Sequence, residues 1–337
     1  MLLLKKLTDA CGLPGFEDEV RELIKEEIKD YVDSIKVDRM GNLIATKNSN
    51  GSGPHIALSA HMDEVGLCVR HINADGSLRF ASWGVDQRLL PSMHVLVGSK
   101  KIPGVIGTKP IHLQTEADRG SVIDISNMAI DIGCDKKEEA EKLVNLGDFV
   151  AFSSEFTEFG DSSIKAKALD DRVGCAAIIE ILKMDLPCKL TAIFCTQEEV
   201  GLRGSAVAAK SLKVDLMINL EGTIGADMEG IPEHEHVTTQ GAGPSVSLMD
   251  RTSIYGRDIV ESIVKVAEKY DIPFQYRRTG MGGTDAANYH KSDGGTPVIG
   301  LAVPCRYIHS PVSVMNKNDY ENLIKLVATY INERCSK

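Results

Sequence analysis

Five short stretches place acids or histidines just after apolar, strand-like runs. In Ser59-Ala60-His61-Met62-Asp63-Glu64, residues two apart share a face of an extended chain. His61 and Asp63 can therefore act as a pair, the imidazole on a metal ion and Asp63 on its other ring nitrogen. A histidine satisfied in a turn is the plainer reading of that pair. Leu169-Asp170-Asp171-Arg172 opens a helical pattern, where Asp170 or Asp171 alone is the ordinary helix cap. Gln197-Glu198-Glu199-Val200-Gly201 follows the apolar run 189–196, and the carboxyl end of a buried strand is where α/β proteins place ligands. Glu221 ends the run 216–220, and Ile308-His309-Ser310-Pro311 follows a strand ending near Val303. Two histidines with several carboxylates form an N/O donor set suited to Zn²⁺, Co²⁺ or Mn²⁺. A two-metal site would hold its ions about 3.5–4 Å apart, bridged by a carboxylate and a hydroxide.

Such groups need strands and helices to hold them. The spacing of Val20, Leu23, Ile24 and Ile28 predicts a helix over 17–31, after the turn Leu13-Pro14-Gly15. Strands are predicted at 35–37, 42–46 and 55–59. Beyond residue 166 the patterns alternate. Helices are expected at 170–184, 204–210, 257–270, 284–291 and 319–333, with strands at 189–196, 215–220 and 296–303. That alternation implies an α/β mixed sheet with helices on both faces. From about 66 to 166 the chain shows short strand patterns and many turns, with little helix beyond 136–143. The expectation is an inserted all-β, barrel-like domain at 66–165 interrupting an α/β domain made of 1–65 and 166–337. One continuous mixed sheet is the alternative.

Composition narrows the class. The 337 residues carry 38 Lys+Arg against 48 Asp+Glu, a net charge of −10, and 43% are hydrophobic. Disorder is excluded as the main character. An acidic chain without a Lys/Arg cluster argues against nucleic-acid and membrane partners. No apolar run reaches the ~20 residues that span a bilayer. Met-Leu-Leu-Leu-Lys-Lys has too short an apolar stretch for a secretory signal. Eight cysteines without a C-x-x-C pair read as free thiols, and a cytoplasmic location is expected. No G-x-S-x-G nucleophile elbow appears.

Taken together, Ser-Ala-His-Met-Asp-Glu-Val-Gly at 59–66, Leu-Asp-Asp-Arg-Val-Gly at 169–174, Gln-Glu-Glu-Val-Gly at 197–201, Gly-Thr-Asp-Ala at 283–286 and Arg-Tyr-Ile-His-Ser-Pro at 306–311 resemble metallopeptidase family forty-two, the tetrahedral aminopeptidases. The resemblance covers almost the whole chain and includes Ile111-His112-Leu113, Ile132-Gly133 and Gly147-Asp148. It implies that His61 and Glu221 hold one metal, that Glu199 and His309 hold the other, and that Asp170 bridges them. It assigns Glu198 as general base and Asp63 as the residue orienting His61. It also implies that the inserted domain serves dimerisation, with twelve-subunit tetrahedral shells common in the family.

Glu221 departs from the family pattern, where Asp is usual; the longer arm keeps the ligand chemistry. His234 and His236 read as a solvated loop, with an extra metal site as the lesser reading.

The leading function is a two-metal aminopeptidase acting on peptides with a free N-terminus, in which metal-held hydroxide attacks and Glu198 moves the proton. A related metal-dependent deacylase or dipeptidase is the nearer alternative. An endoglucanase, a label some relatives carry, and a non-catalytic assembly protein are weaker ones. Glycoside hydrolysis wants two carboxylates flanking one bond and has no use for His61 or His309.

Overall fold

The computed structural model describes the whole chain except Ser52, Thr279, Met281 and Lys337, and the side chain of Asp118. Its strands fall into two sheets. The first part of the chain supplies β1 (Ser34–Val37), β2 (Leu43–Lys47) and β3 (His55–His61). The middle supplies β4 (Gly66–Ile72), β5 (Leu78–Trp83), β6 (His94–Val97), β7 (Ile102–Gly107), β8 (Ala129–Asp131) and β9 (Phe149–Phe152). Then come β10 (Thr157–Phe159), β11 (Ser163–Ala166), β12 (Lys189–Cys195), β13 (Leu216–Ile224) and β14 (Ser245–Ser247). The last are β15 (Gln275–Arg277), β16 (Val298–Arg306) and β17 (Ser313–Asn316).

The large sheet has the order β1-β2-β12-β3-β13-β16-β17-β11-β10, with β14 on β16 and β15 on β14. Its centre, β12-β3-β13-β16, is parallel. Antiparallel β2 and β17 flank it. Consecutive residues of these central strands are buried, among them Ile56, Ala57, Leu58, Ile193, Phe194, Met217 and Ile218. Both faces are therefore covered, which is why these strands read as unbroken apolar runs. The helices Leu169–Leu182 and Lys317–Cys335 pack on this sheet. The α/β class expected from the alternation is the one observed.

The middle block is a closed antiparallel barrel, β4-β5-β8-β7-β6-β9, with its own core of Leu67, Val69, Leu78, Val95, Val97, Ile106, Ile130 and Val150. Its strands run from Gly66 to Phe152. β10 and nearly all of β11 fall in the range 66–165, yet they pair with each other, and β11 pairs with β17 in the large sheet. Their short patterns do not reveal which sheet they join.

Helix boundaries follow burial and end charges. The predicted helix 17–31 forms as Asp18–Ile28, burying Val20, Ile24 and Ile28. Asp18 and Glu19 open it and Lys25 lies in its last turn, each complementing the helix dipole. The predicted 136–143 shrinks to Lys137–Ala140, in which only Ala140 is buried. A helix the sequence did not announce, Leu2–Asp9, buries Leu4 and Leu7. All eight cysteines are free, and no helix among the described residues is long and apolar enough to cross a membrane.

Candidate metal centre

The four parallel strands deliver their chemistry at their carboxyl ends. β3 ends on His61, in register with Cys195 at the end of β12, and Gln197-Glu198-Glu199 follows at once. Asn219 of β13 is in register with Ser59, so Glu221 stands level with His61 two residues on. Glu221 lies within β13 rather than after it, because pairing with β16 continues to Ile224↔Cys305. β16 likewise runs on to Arg306, and His309 follows in the left-handed region at φ 57°.

Asp170 sits between the two histidines. Its Oδ1 is 3.2 Å from His61 Nε2 and its Oδ2 is 3.5 Å from His309 Nε2. Each histidine also faces one glutamate: His61 Nε2 is 3.5 Å from Glu221 Oε2, and His309 Nε2 is 3.4 Å from Glu199 Oε2. Bonds of about 2.0–2.1 Å in a tetrahedral zinc site put neighbouring donor atoms about 3.3–3.4 Å apart. The observed spacings fit that geometry on both sides of Asp170. Glu199 Oε1 is buried with no hydrogen-bond partner, an orphan a cation would satisfy.

The neighbouring acids divide their work. Asp170 and Asp171 both depart from helical angles, and the peptide between them is cis. Asp171 Oδ1 accepts from the Gly174 N–H at 2.9 Å and its Oδ2 from the His61 N–H at 3.1 Å. The capping expected of one of this pair thus falls to Asp171, while Asp170 faces the histidines. Asp63 accepts the N–H of Glu198 at 2.9 Å and that of Glu199 at 3.0 Å. Glu17 accepts the N–H of Gln197 at 3.2 Å. Two buried carboxylates therefore fix the loop carrying Glu198 and Glu199. His61 Nδ1 donates to the carbonyl oxygen of Asp63 at 3.0 Å, with the Asp63 carboxylate at 3.6 Å. That bond leaves Nε2 facing Asp170 and Glu221.

A cavity of about 360 Å³ opens beside the cluster, lined by His61, Asp170, Glu198, Glu221 and His309 and continuing to Asn219, Ser247, Tyr255, Arg277 and Gly300. Glu199 lies outside this lining and meets the barrel instead. A Cβ on Gly84, where φ is +75°, would come 2.6 Å from Val65 and 3.7 Å from Glu199 Oε2.

The electrostatics are those of crowded buried acids. Burial pushes the carboxyls of Glu198 and Glu221 well up, and that of Glu199 up to about 7. Asp170 is held low despite burial, by its bonds to His309 and His61. Asp170 in turn raises His309 to about 9. Burial opposes the charge on His61, but Asp170 and Asp63 lift it well above its ordinary value. Carboxylates packed this closely call for a cation, and N/O donors of this kind suit the divalent ions named above.

Glu17, Asn219 and Arg277 entered the site without being read from the sequence. Asn219 carried a faint signal, as a polar residue inside an apolar strand-like run. His236 Nε2 donates to the Ile231 carbonyl at 3.0 Å, and His234 is exposed. Neither joins a metal-competent cluster among the described residues. Asp227 is tied to Arg306 at 2.9 and 2.7 Å and accepts the Gln240 N–H at 3.1 Å.

Comparison with known proteins agrees with this architecture. A family model described as M42 glutamyl aminopeptidase matches residues 41–326. A putative aminopeptidase of Acetivibrio thermocellus is 38% identical, over 98% of this chain and 97% of its own. The aminopeptidase APDkam598 of the archaeon Desulfurococcus kamchatkensis is 33% identical with a TM-score of 0.94, covering 99% of this chain and 94% of that one. The TET1 peptidase of Pyrococcus horikoshii, described as able to assemble into a tetrahedron or a large octahedral shell, is 36% identical with a TM-score of 0.88 over 98% and 99% of the two chains. With a family match over most of its length and histidines and acids gathered at the strand ends, the chain belongs to the M42 glutamyl aminopeptidase family and is a metal-dependent peptide hydrolase.

Proposed function

We propose that this chain is a two-metal aminopeptidase that removes the first residue from peptides. His61 and Glu221 hold one ion, His309 and Glu199 the other, and Asp170 bridges them. The observation that carries this reading is the split of Asp170, one oxygen toward each His–Glu pair. Zinc or cobalt ions, or manganese, would there polarise the first peptide carbonyl and acidify a water.

Glu198 is the general base. It lines the cavity, and burial raises its affinity for a proton, which suits a group that takes one and returns it to the leaving amine. Asp63 holds the backbone of Glu198 and Glu199, and its carbonyl fixes the His61 ring. Arg277, 6% exposed, is the only Lys or Arg lining the cavity among the described residues. It favours an acidic first side chain. The 66–165 region serves as the assembly domain of a cytoplasmic homo-oligomer, a shell of twelve subunits being the form suggested by relatives.

A panel of aminoacyl-nitroanilides, free and N-acetylated, assayed with Zn²⁺, Co²⁺ or Mn²⁺ and with chelator, tests this. Cleavage should need metal and a free amine and be fastest for Glu or Asp. Hydrolysis of acetylated substrates as fast as free ones would leave a deacylase or endopeptidase instead. Arg277→Ala should narrow the acidic preference; an unchanged ranking removes Arg277 from the specificity argument.

A further inference from the structure

Asn219 stands on β13 two residues before Glu221, so both side chains leave the same face of the strand. It is fully buried and lines the cavity. Its Nδ2 donates to Glu221 Oε1 at 2.8 Å. As a metal ligand Glu221 is an ionised carboxylate that only accepts, so the amide nitrogen faces it and the amide oxygen turns away. That oxygen, Oδ1, is buried and has no hydrogen-bond partner.

Tyr255 packs closely on the neighbouring strand, yet nothing around Asn219 meets its acceptor. Gly300 is the register partner of Asn219 on β16. A Cβ on Gly300 would come 2.8 Å from the Tyr255 hydroxyl and 3.4 Å from Ser247 Oγ. The Tyr255 hydroxyl is committed elsewhere, donating to Asp250 Oδ2 at 2.8 Å. Arg277 Nε donates to Thr223 Oγ1 at 2.9 Å. A buried acceptor without a partner is costly, and one on a residue that lines a cavity is completed by a ligand that brings a donor.

We propose that Asn219 Oδ1 accepts a hydrogen bond from the α-ammonium group of the substrate, while the same amide holds Glu221 in place. This rests on the aminopeptidase reading, because only then does every ligand carry that cationic donor whatever its side chain. A neutral acceptor also suits the position: it meets a cation without adding another charge to a cluster already crowded with carboxylates.

The test uses full-length, metal-loaded protein and two competitive inhibitors, an amino acid and the same carboxylic acid lacking the amino group. Inhibition constants are measured for wild type, Asn219→Leu and Asn219→Ser, with bound metal counted in each. The serine variant serves if the leucine variant does not fold. Wild type should prefer the amino form, and the variants should lose about ten- to a hundredfold of that preference, the worth of a hydrogen bond to a charged group. Binding of the des-amino acid should change by less than about threefold, within the scatter of an uncoupled site. Equal weakening of both inhibitors, or loss of metal, would reduce Asn219 to a prop for Glu221. Loss of discrimination among first side chains, with the amino preference intact, would move Oδ1 to the side-chain subsite. Wild type that cleaves no aminoacyl substrate would instead bring down the aminopeptidase reading itself.

Discussion

Glu198 and Glu199 have the same chemistry and adjacent places in the chain, yet the fold gives them different company. Glu198 lines the cavity; Glu199 turns one oxygen to His309 and leaves the other buried and unpaired. Glu198→Gln should keep the fold and its metals and lose about 10²–10⁴ in kcat, the usual worth of a general base. Glu199→Gln should lose affinity for one metal, so that added Zn²⁺ or Co²⁺ restores part of the activity. Metal titration of both variants, following rate and metal content, checks this; metal rescue of the 198 variant with no metal loss in the 199 variant would mean the roles are exchanged. Different surroundings for these two acids were expected from the sequence, since neighbours in an extended chain point apart, although the segment turns here, with Gln197 at φ 56°. The division between Asp170 and Asp171 was not legible. Either could cap the helix by sequence, and only the departure of both from helical angles gives the cap to Asp171. Asn219 was equally hidden, because its meaning depends on which strand lies beside it.

At the level of elements, three helices meet through Glu27, which accepts from Lys6 Nζ at 3.0 Å and from Lys183 Nζ at 3.2 Å. The bond from Lys6, and then that from Lys183, lowers the Glu27 carboxyl below its ordinary value of 4.5. A carboxyl lowered on folding stabilises the fold above its unfolded pKa and loses that contribution as pH falls through the folded one. Glu27→Gln should therefore cost about 0.5–1 kcal/mol at pH 7, the range of partly exposed pairs. The difference from wild type should shrink as pH falls from the ordinary carboxyl value through the lowered folded one. Denaturant midpoints at pH 7 and pH 3.5 measure it; an equal gap at both would show that Glu27 acts by packing. Long elements with strong periodicity were legible, among them the helix Asp18–Ile28 and the parallel strands. The helix Leu2–Asp9 was obscured by its own composition, since Met-Leu-Leu-Leu-Lys-Lys shows no clear apolar spacing over so few residues.

For the molecule as a whole, the barrel presents apolar side chains that the α/β domain does not cover. Ile111, Leu113 and Val122 are 68%, 59% and 52% exposed. Surfaces of that kind mark contacts between chains. Ile111→Glu combined with Val122→Glu should shift the protein to a smaller species on a sizing column with little change in subunit stability. An unchanged elution volume would place the assembly contacts elsewhere. The inserted character of this block was legible from the change of pattern after β3. Its exit was not, because β10 and β11 gain their sheet from β17, far along the chain.

The barrel is spliced into the chain between His61 and Asp170, and its Gly84 lies against Val65 with Glu199 just beyond. Both connections of the splice, and that third contact, lead to donors of the proposed metal centre. If neighbours grip the barrel, subunit association and ion binding form two sides of one thermodynamic cycle. Whatever factor association adds to ion affinity, ion binding must return to association. The protein would then report its own abundance: dilute subunits shed their ions and fall silent, and crowded ones reload. The smaller species made by the Ile111 and Val122 substitutions should accordingly bind metal more weakly, although neither residue belongs to the proposed metal centre. Identical metal affinity in the two species would show that the splice transmits nothing.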